Sequence, residues 1–167
     1  MPDFIVNLSR GRLYWALLIL FGLALEAGAL YYQYALDEWP CVLCIHVRIL
    51  VAAFILLGVL ALILNPFAWA RRVLHGLNTV VMLWLLERSY QVLAVERGWV
   101  FGDCDMELGM PAWFALDKWL PSVFEVQTSC GYSPFIVFEI TMAETMLVTS
   151  ILLVLASVTL FVASFRD

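Results

Sequence analysis

Apolar residues run along this chain in long unbroken stretches, without the two- or four-residue alternation of a soluble fold. Leu13 to Ala35, Val42 to Leu64 and Met146 to Phe165 are each long enough for a helix to cross a hydrocarbon layer roughly 30 Å thick. The last has a semi-polar lead-in from Phe135, so that its helix is placed over 142–165. A further stretch, Val73 to Val95, carries His75, Asn78, Glu87 and Arg88, yet it is long enough and its centre, Val80 to Leu86, is apolar. The pattern therefore predicts an all-α integral membrane protein. It forms one domain, residues 1–167, with spans at 13–35, 42–64, 73–95 and 142–165 and a long loop over about 96–140.

Basic residues orient the bundle, because short loops rich in Arg and Lys stay in the cytoplasm. Arg10 and Arg12 precede the first span, Arg71 and Arg72 lie between the second and third, and Arg166 follows the fourth, so both termini are expected in the cytoplasm. Asp37, Glu38 and the acidic long loop then face outward. Within that loop Met110 to Pro121 predicts a short helix between two prolines. Trp113, Leu116 and Leu120 share its apolar face, which suits the membrane interface. Arg10, Arg12, the apolar run from Leu13 and Ala27-Gly28-Ala29 have the parts of a cleavable signal. Glu26 interrupts it and apolar sequence resumes at Leu30, which favours a retained span.

Composition agrees with this pattern: 64% of residues are hydrophobic, 14% are charged, and mean hydropathy is +0.94. A net charge of -5 with no basic stripe argues against nucleic acid as a partner.

The candidate chemistry lies in four cysteines of two kinds. Cys41 and Cys44 form a Cys-x-x-Cys pair where the second span begins, and a helix start favours a thiolate. Arg48 follows Cys44 by four residues and shares its helix face, within reach of the sulfur. An intramembrane guanidinium must snorkel, pair or meet an anion. Cys104 and Cys130 lie 26 residues apart in the polar loop, where both are expected to be exposed. A disulfide closing such a loop contributes roughly 3 kcal/mol, so a structural staple remains open for this pair. The acids flanking Cys104 make it a better target of attack than an attacker. Zinc is a poor rival, since His46 and His75 are the only histidines and fall on opposite sides.

Several of these features together resemble the disulfide bond formation protein B (DsbB) family of the bacterial inner membrane. They are Ala24-Leu25-Glu26, Pro40-Cys41-Val42-Leu43-Cys44-Ile45 followed by Arg48, the loop pair Cys104 and Cys130, and Leu116-Asp117-Lys118-Trp119 with Pro121 and Val123-Phe124. The resemblance covers nearly the whole chain and implies a quinone-dependent protein-dithiol oxidoreductase. In it a Cys104–Cys130 disulfide accepts electrons from a DsbA-like periplasmic thioredoxin-fold protein through a mixed disulfide at Cys104. Cys130 then attacks Cys41, and ubiquinone or menaquinone reoxidises the Cys41 and Cys44 pair, with Cys44 as the thiolate facing the ring and Arg48 beside it. Arg88 and Gln91 match a family pattern near the end of span three and would also face the quinone, while Glu96 stands where members carry a histidine. Arg88 has a second expected role, ranked first, as ion-pair partner for Glu26 deep in span one. The competing readings are a non-enzymatic four-span protein with two structural disulfides and a quinone-binding regulator that has lost the exchange chemistry.

Overall fold

The computed structural model describes residues 3–100, 108–111, 114–137 and 139–166. Cys104 and Trp113 lie outside them. The chain begins with a short helix α1 (Asp3–Arg10), followed after Gly11 by α2 (Arg12–Ala35), α3 (Val42–Leu64) and α4 (Ala68–Glu96). The loop carries two one-turn helices, α5 (Leu116–Trp119) and α6 (Pro121–Phe124). Strands β1 (Phe135–Val137) and β2 (Ile140–Thr141) form an antiparallel hairpin that leads into α7 (Met142–Ala163) and a closing 3-10 turn, Ser164–Arg166.

Among the described residues α2, α3 and α7 are long and apolar enough to cross a membrane, which makes the protein multi-pass. α4 is the longest helix but falls short of that apolarity. It packs chiefly against α7 and α3, and α2 packs against α3. The shared core is formed by Trp15, Leu18, Leu50, Phe54, Leu74, Met82 and Leu85.

Several of the polar residues that dilute α4 form hydrogen bonds inside the bundle. Asn78 Nδ2 donates to Tyr14 Oη (3.1 Å) and Ser157 Oγ (3.0 Å), Thr79 Oγ1 donates to the His75 carbonyl (2.8 Å), and Thr79 and Ser157 hydroxyls lie 2.9 Å apart. His75 Nε2 donates to the Ser9 carbonyl at 3.1 Å, which ties α1 to α4, and its ring packs on Trp15 with centroids 4.7 Å apart. Hydrogen bonds of this kind join helices where no water is present to compete.

Two predicted features change. The helix expected between Pro111 and Pro121 is shortened to Leu116–Trp119 and ends before Leu120 (φ -137°, ψ 65°), because the ring of Pro121 excludes the preceding residue from the helical region, and a further turn starts at Pro121 itself. The lead-in to the last span is a hairpin, turned by Glu139 in the left-handed region (φ 65°). α7 then starts at Met142 through a capping box. Glu144 N–H donates to Thr141 Oγ1 and the Thr141 N–H to the Glu144 carboxylate.

Gly22 permits the close approach of α2 and α3. A Cβ there would lie 2.5 Å from Phe54 Cε2 and 2.6 Å from Ile55 Cγ1, whereas one at Gly28 meets nothing within 4 Å. Gly22→Ala is therefore expected to lower stability by about 1–3 kcal/mol. Gly28→Ala should leave it close to wild type, and thermal unfolding midpoints in detergent compare the two.

Candidate functional site: a dithiol at a helix start and the cavity beside it

The first turn of α3 is built around Cys41. It occupies the N-cap position in extended conformation (φ -83°, ψ 168°), and its sulfur accepts the Cys44 backbone N–H at 3.3 Å. Sulfur here takes the place of the oxygen of a Ser or Asp cap. Cys41 and Cys44 are both free thiols, Cys41 buried and Cys44 partly so. The Cys41 thiol is lowered to about 7, first by a hydrogen bond from the Cys44 side chain and further by the backbone N–H groups of Cys44 and Leu43, with burial opposing. The helix start thus acts most directly on Cys41.

Arg48 does not snorkel outward. It is 7% exposed and turns inward, where Nη1 donates to Gln33 Oε1 (2.6 Å) and the Val123 carbonyl (3.0 Å), and Nη2 donates to the Ala29 carbonyl (3.0 Å). One side chain of α3 thereby holds α2 and α6. The Nε–H and one Nη2 hydrogen have no partner among the described residues, so the guanidinium keeps donor capacity toward a ligand.

Beside this turn lies a cavity of about 250 Å³, largely apolar, between α2, α3, the hairpin and the start of α7. Cys44, Arg48, Glu26, Ala29, Met142 and Met146 are among the residues that line it. Glu26 Oε1 is buried there with no hydrogen-bond partner. An apolar slot with a thiol, a guanidinium donor and an orphan carboxyl oxygen fits a planar apolar ring bearing carbonyl oxygens.

The loop closes over the dithiol from the other side. Val42 and Ile45 pack with Leu108 and Phe124, and Cys130 joins this cluster. Cys130 is disulfide-bonded and half-buried rather than exposed, because the loop folds back onto α3. The Pro40 carbonyl accepts from the Gln127 N–H (3.0 Å) and the Thr128 N–H (3.3 Å), and Thr128 forms a parallel β-bridge with Cys41.

Three other residues singled out in the sequence stand elsewhere. Arg88 donates to Gln91 Oε1 (2.9 Å) and pairs with Glu87 (3.3 Å), and Gln91 also bonds Glu87. Neither Arg88 nor Gln91 lines the cavity with Cys44. The expected Glu26–Arg88 ion pair is not formed: Glu87 is next to Arg88 in sequence and takes its charge, while the cation in Coulombic range of Glu26 is Arg48. Glu96 lines a separate shallow pocket with Arg97, Phe135, Glu139 and Thr141. Gln33 and Gln127, joined at 3.2 Å between Nε2 and Oε1, were invisible to sequence reading, since nothing in their spacing relates one to the other.

A multi-pass helical membrane protein with a free Cys-x-x-Cys pair at a helix start and a further, disulfide-bonded cysteine packed near that turn belongs to the class of membrane thiol-disulfide exchange proteins. Comparison with known families agrees. The family described as "Disulfide bond formation protein DsbB" matches residues 11–160. Relatives named "Disulfide bond formation protein B" include that of Shewanella frigidimarina, 33% identical over 140 residues that cover 83% of this chain and 82% of that one. Those of Shewanella amazonensis and Yersinia pestis are 34% and 35% identical, covering 86% and 78% of this chain and 86% and 74% of their own. The chain belongs to the DsbB family.

The geometry sets an expected pH response for Cys41. In reduced protein with Cys104 and Cys130 replaced by Ser, alkylation of Cys41 should rise with pH about a midpoint near 7, against roughly 8.5 for a free thiol. Cys44→Ala removes the thiol donor, so the midpoint should move upward; mass-resolved alkylation rates across pH measure both.

Proposed function

We propose that this protein is a disulfide-generating oxidoreductase of the bacterial inner membrane. It reoxidises a DsbA-like periplasmic thioredoxin-fold protein and passes the electrons to ubiquinone or menaquinone. In this reading α2, α3, α4 and α7 are four spans, both termini are cytoplasmic, and the loop from α4 to α7 lies in the periplasm. The observation that carries the reading is the placement of Cys44, Arg48 and the orphan Glu26 oxygen around one apolar cavity, with Cys130 folded against the same helix start.

The relay follows from chemistry at each sulfur. A thiolate of the reduced partner attacks Cys104 of a Cys104–Cys130 disulfide, forming a mixed disulfide and releasing Cys130 as thiolate. Cys130 then attacks Cys41 of a Cys41–Cys44 disulfide. The Cys41–Cys130 bond forms, the Cys41–Cys44 bond breaks, and the electron pair leaves on Cys44 beside Arg48. The partner's second thiolate displaces Cys104, which attacks Cys130 and frees Cys41. The partner is now oxidised, and its two electrons reside on Cys41 and Cys44. A quinone, when bound, supplies an acceptor of two electrons and two protons. Arg48 orients a carbonyl oxygen through its free donors, Cys44 presents its sulfur to the ring, and the apolar wall excludes water. Two pairs are needed because a folded soluble partner cannot enter the bilayer and an isoprenoid quinone does not leave it.

A scaffold with two structural disulfides is the competing reading, and the free thiols of Cys44 and the N-capping Cys41 disfavour it. Purified protein with a quinone and reduced DsbA-like partner should oxidise the partner catalytically, and absence of turnover with every quinone tried would refute the proposal. Cys44→Ser should abolish quinone reduction yet permit a single stoichiometric two-electron reduction of the loop disulfide. Arg48→Lys should raise the quinone KM roughly tenfold or more, the scale of a lost charge-assisted hydrogen bond.

A further inference from the structure

The hydrogen bonds that begin at Arg48 continue beyond it. A guanidinium only donates, so the Gln33 amide must turn its Oε1 toward Arg48, which leaves its Nε2 pointing at Gln127. That nitrogen donates to Gln127 Oε1, and the direction of the whole chain, Arg48 to Gln33 to Gln127, is thereby fixed. Gln33 is 5% exposed, so no water competes freely for its amide. Gln127 begins the segment whose N–H groups bond the Pro40 carbonyl, Thr128 bridges Cys41, and Cys130 follows two residues later against the cluster of Val42, Ile45, Leu108 and Phe124.

That backbone pairing is slight. A single bridge with two N–H groups sharing one carbonyl does not specify register strongly, and in extended chain a slip of one residue turns every side chain to the opposite face. Something beyond the backbone must hold Thr128 opposite Cys41, and with it the Cys130 that follows. We propose that Gln33 and Gln127 are positioning residues for the exchange between the two cysteine pairs: anchored by Arg48, they lock segment 127–130 in register with residues 40–41 and so aim the Cys130 sulfur at Cys41. The proposal rests on the relay described above and names the residues that govern its internal step. In that step the Cys130 thiolate forms a bond to Cys41, the Cys41–Cys44 bond breaks, and Cys44 leaves with the electron pair. The exchange is redox-neutral within the protein.

The step can be isolated in full-length Cys104→Ser protein carrying an oxidised Cys41–Cys44 pair, in which Cys130 is a free thiol. Rapid alkylation followed by non-reducing peptide mass spectrometry reads the formation of the Cys41–Cys130 bridge over time. Gln127→Leu should slow bridge formation roughly five- to tenfold, as expected for losing one hydrogen bond. Gln127→Glu keeps an acceptor for Gln33 Nε2 and should recover a rate near that of the parent. In protein with all four cysteines, both variants should keep the parental KM for added ubiquinone. Bridge formation at the parental rate in Gln127→Leu would overturn the proposal, and so would equal slowing in the Leu and Glu variants, which would assign the effect to packing. Absence of any Cys41–Cys130 bridge in the Cys104→Ser parent would instead refute the relay itself, and the positioning role would fall with it.

Discussion

A guanidinium buried at the level of Cys44 is the constraint on which the rest of the site depends. Removing a charge from water costs several kcal/mol unless hydrogen bonds replace those lost. Arg48 finds its replacements in two segments at once: the Ala29 carbonyl and Gln33 on α2, and the Val123 carbonyl on α6. None of these groups is close to Arg48 in sequence. The need to satisfy one side chain of α3 therefore dictates where α2 crosses it and where the loop returns. The cavity beside Cys44 is the space left when those requirements are met.

Much of this was legible in the sequence, and the legible part has a common basis. Span length and apolarity reveal α2, α3 and α7 because crossing hydrocarbon is a property of one segment alone. The shared face of Cys44 and Arg48 is equally local, a matter of helical periodicity. Arg48's partners, the Gln33–Gln127 contact and the inward fold of Cys130 were not legible, since each depends on which distant segment comes to meet it. The Glu26–Arg88 pairing failed for the same reason: two opposite charges in apolar stretches suggest each other, but Glu87 was already beside Arg88. The break at Leu120 was different. Pro121 announced it, and apolar spacing alone concealed it.

The end of the bundle away from the cysteines has an economy of its own. Helix α4 is more polar than α2, α3 and α7, yet Asn78, Thr79 and His75 direct their polarity to Ser157, Tyr14 and Ser9. Hydropathy counts such residues as costs of insertion, while the folded bundle uses them as joints between α1, α2, α4 and α7.

Cys41 has two duties that compete for one sulfur atom. As N-cap it accepts the Cys44 N–H and completes the first turn of α3. In the proposed relay the same sulfur would pass between thiolate and disulfide, and a disulfide sulfur is a weaker acceptor than a thiolate. The first turn of α3 would then be capped most firmly when Cys41 carries charge, so that the redox state of one residue and the order of the helix end it begins are linked.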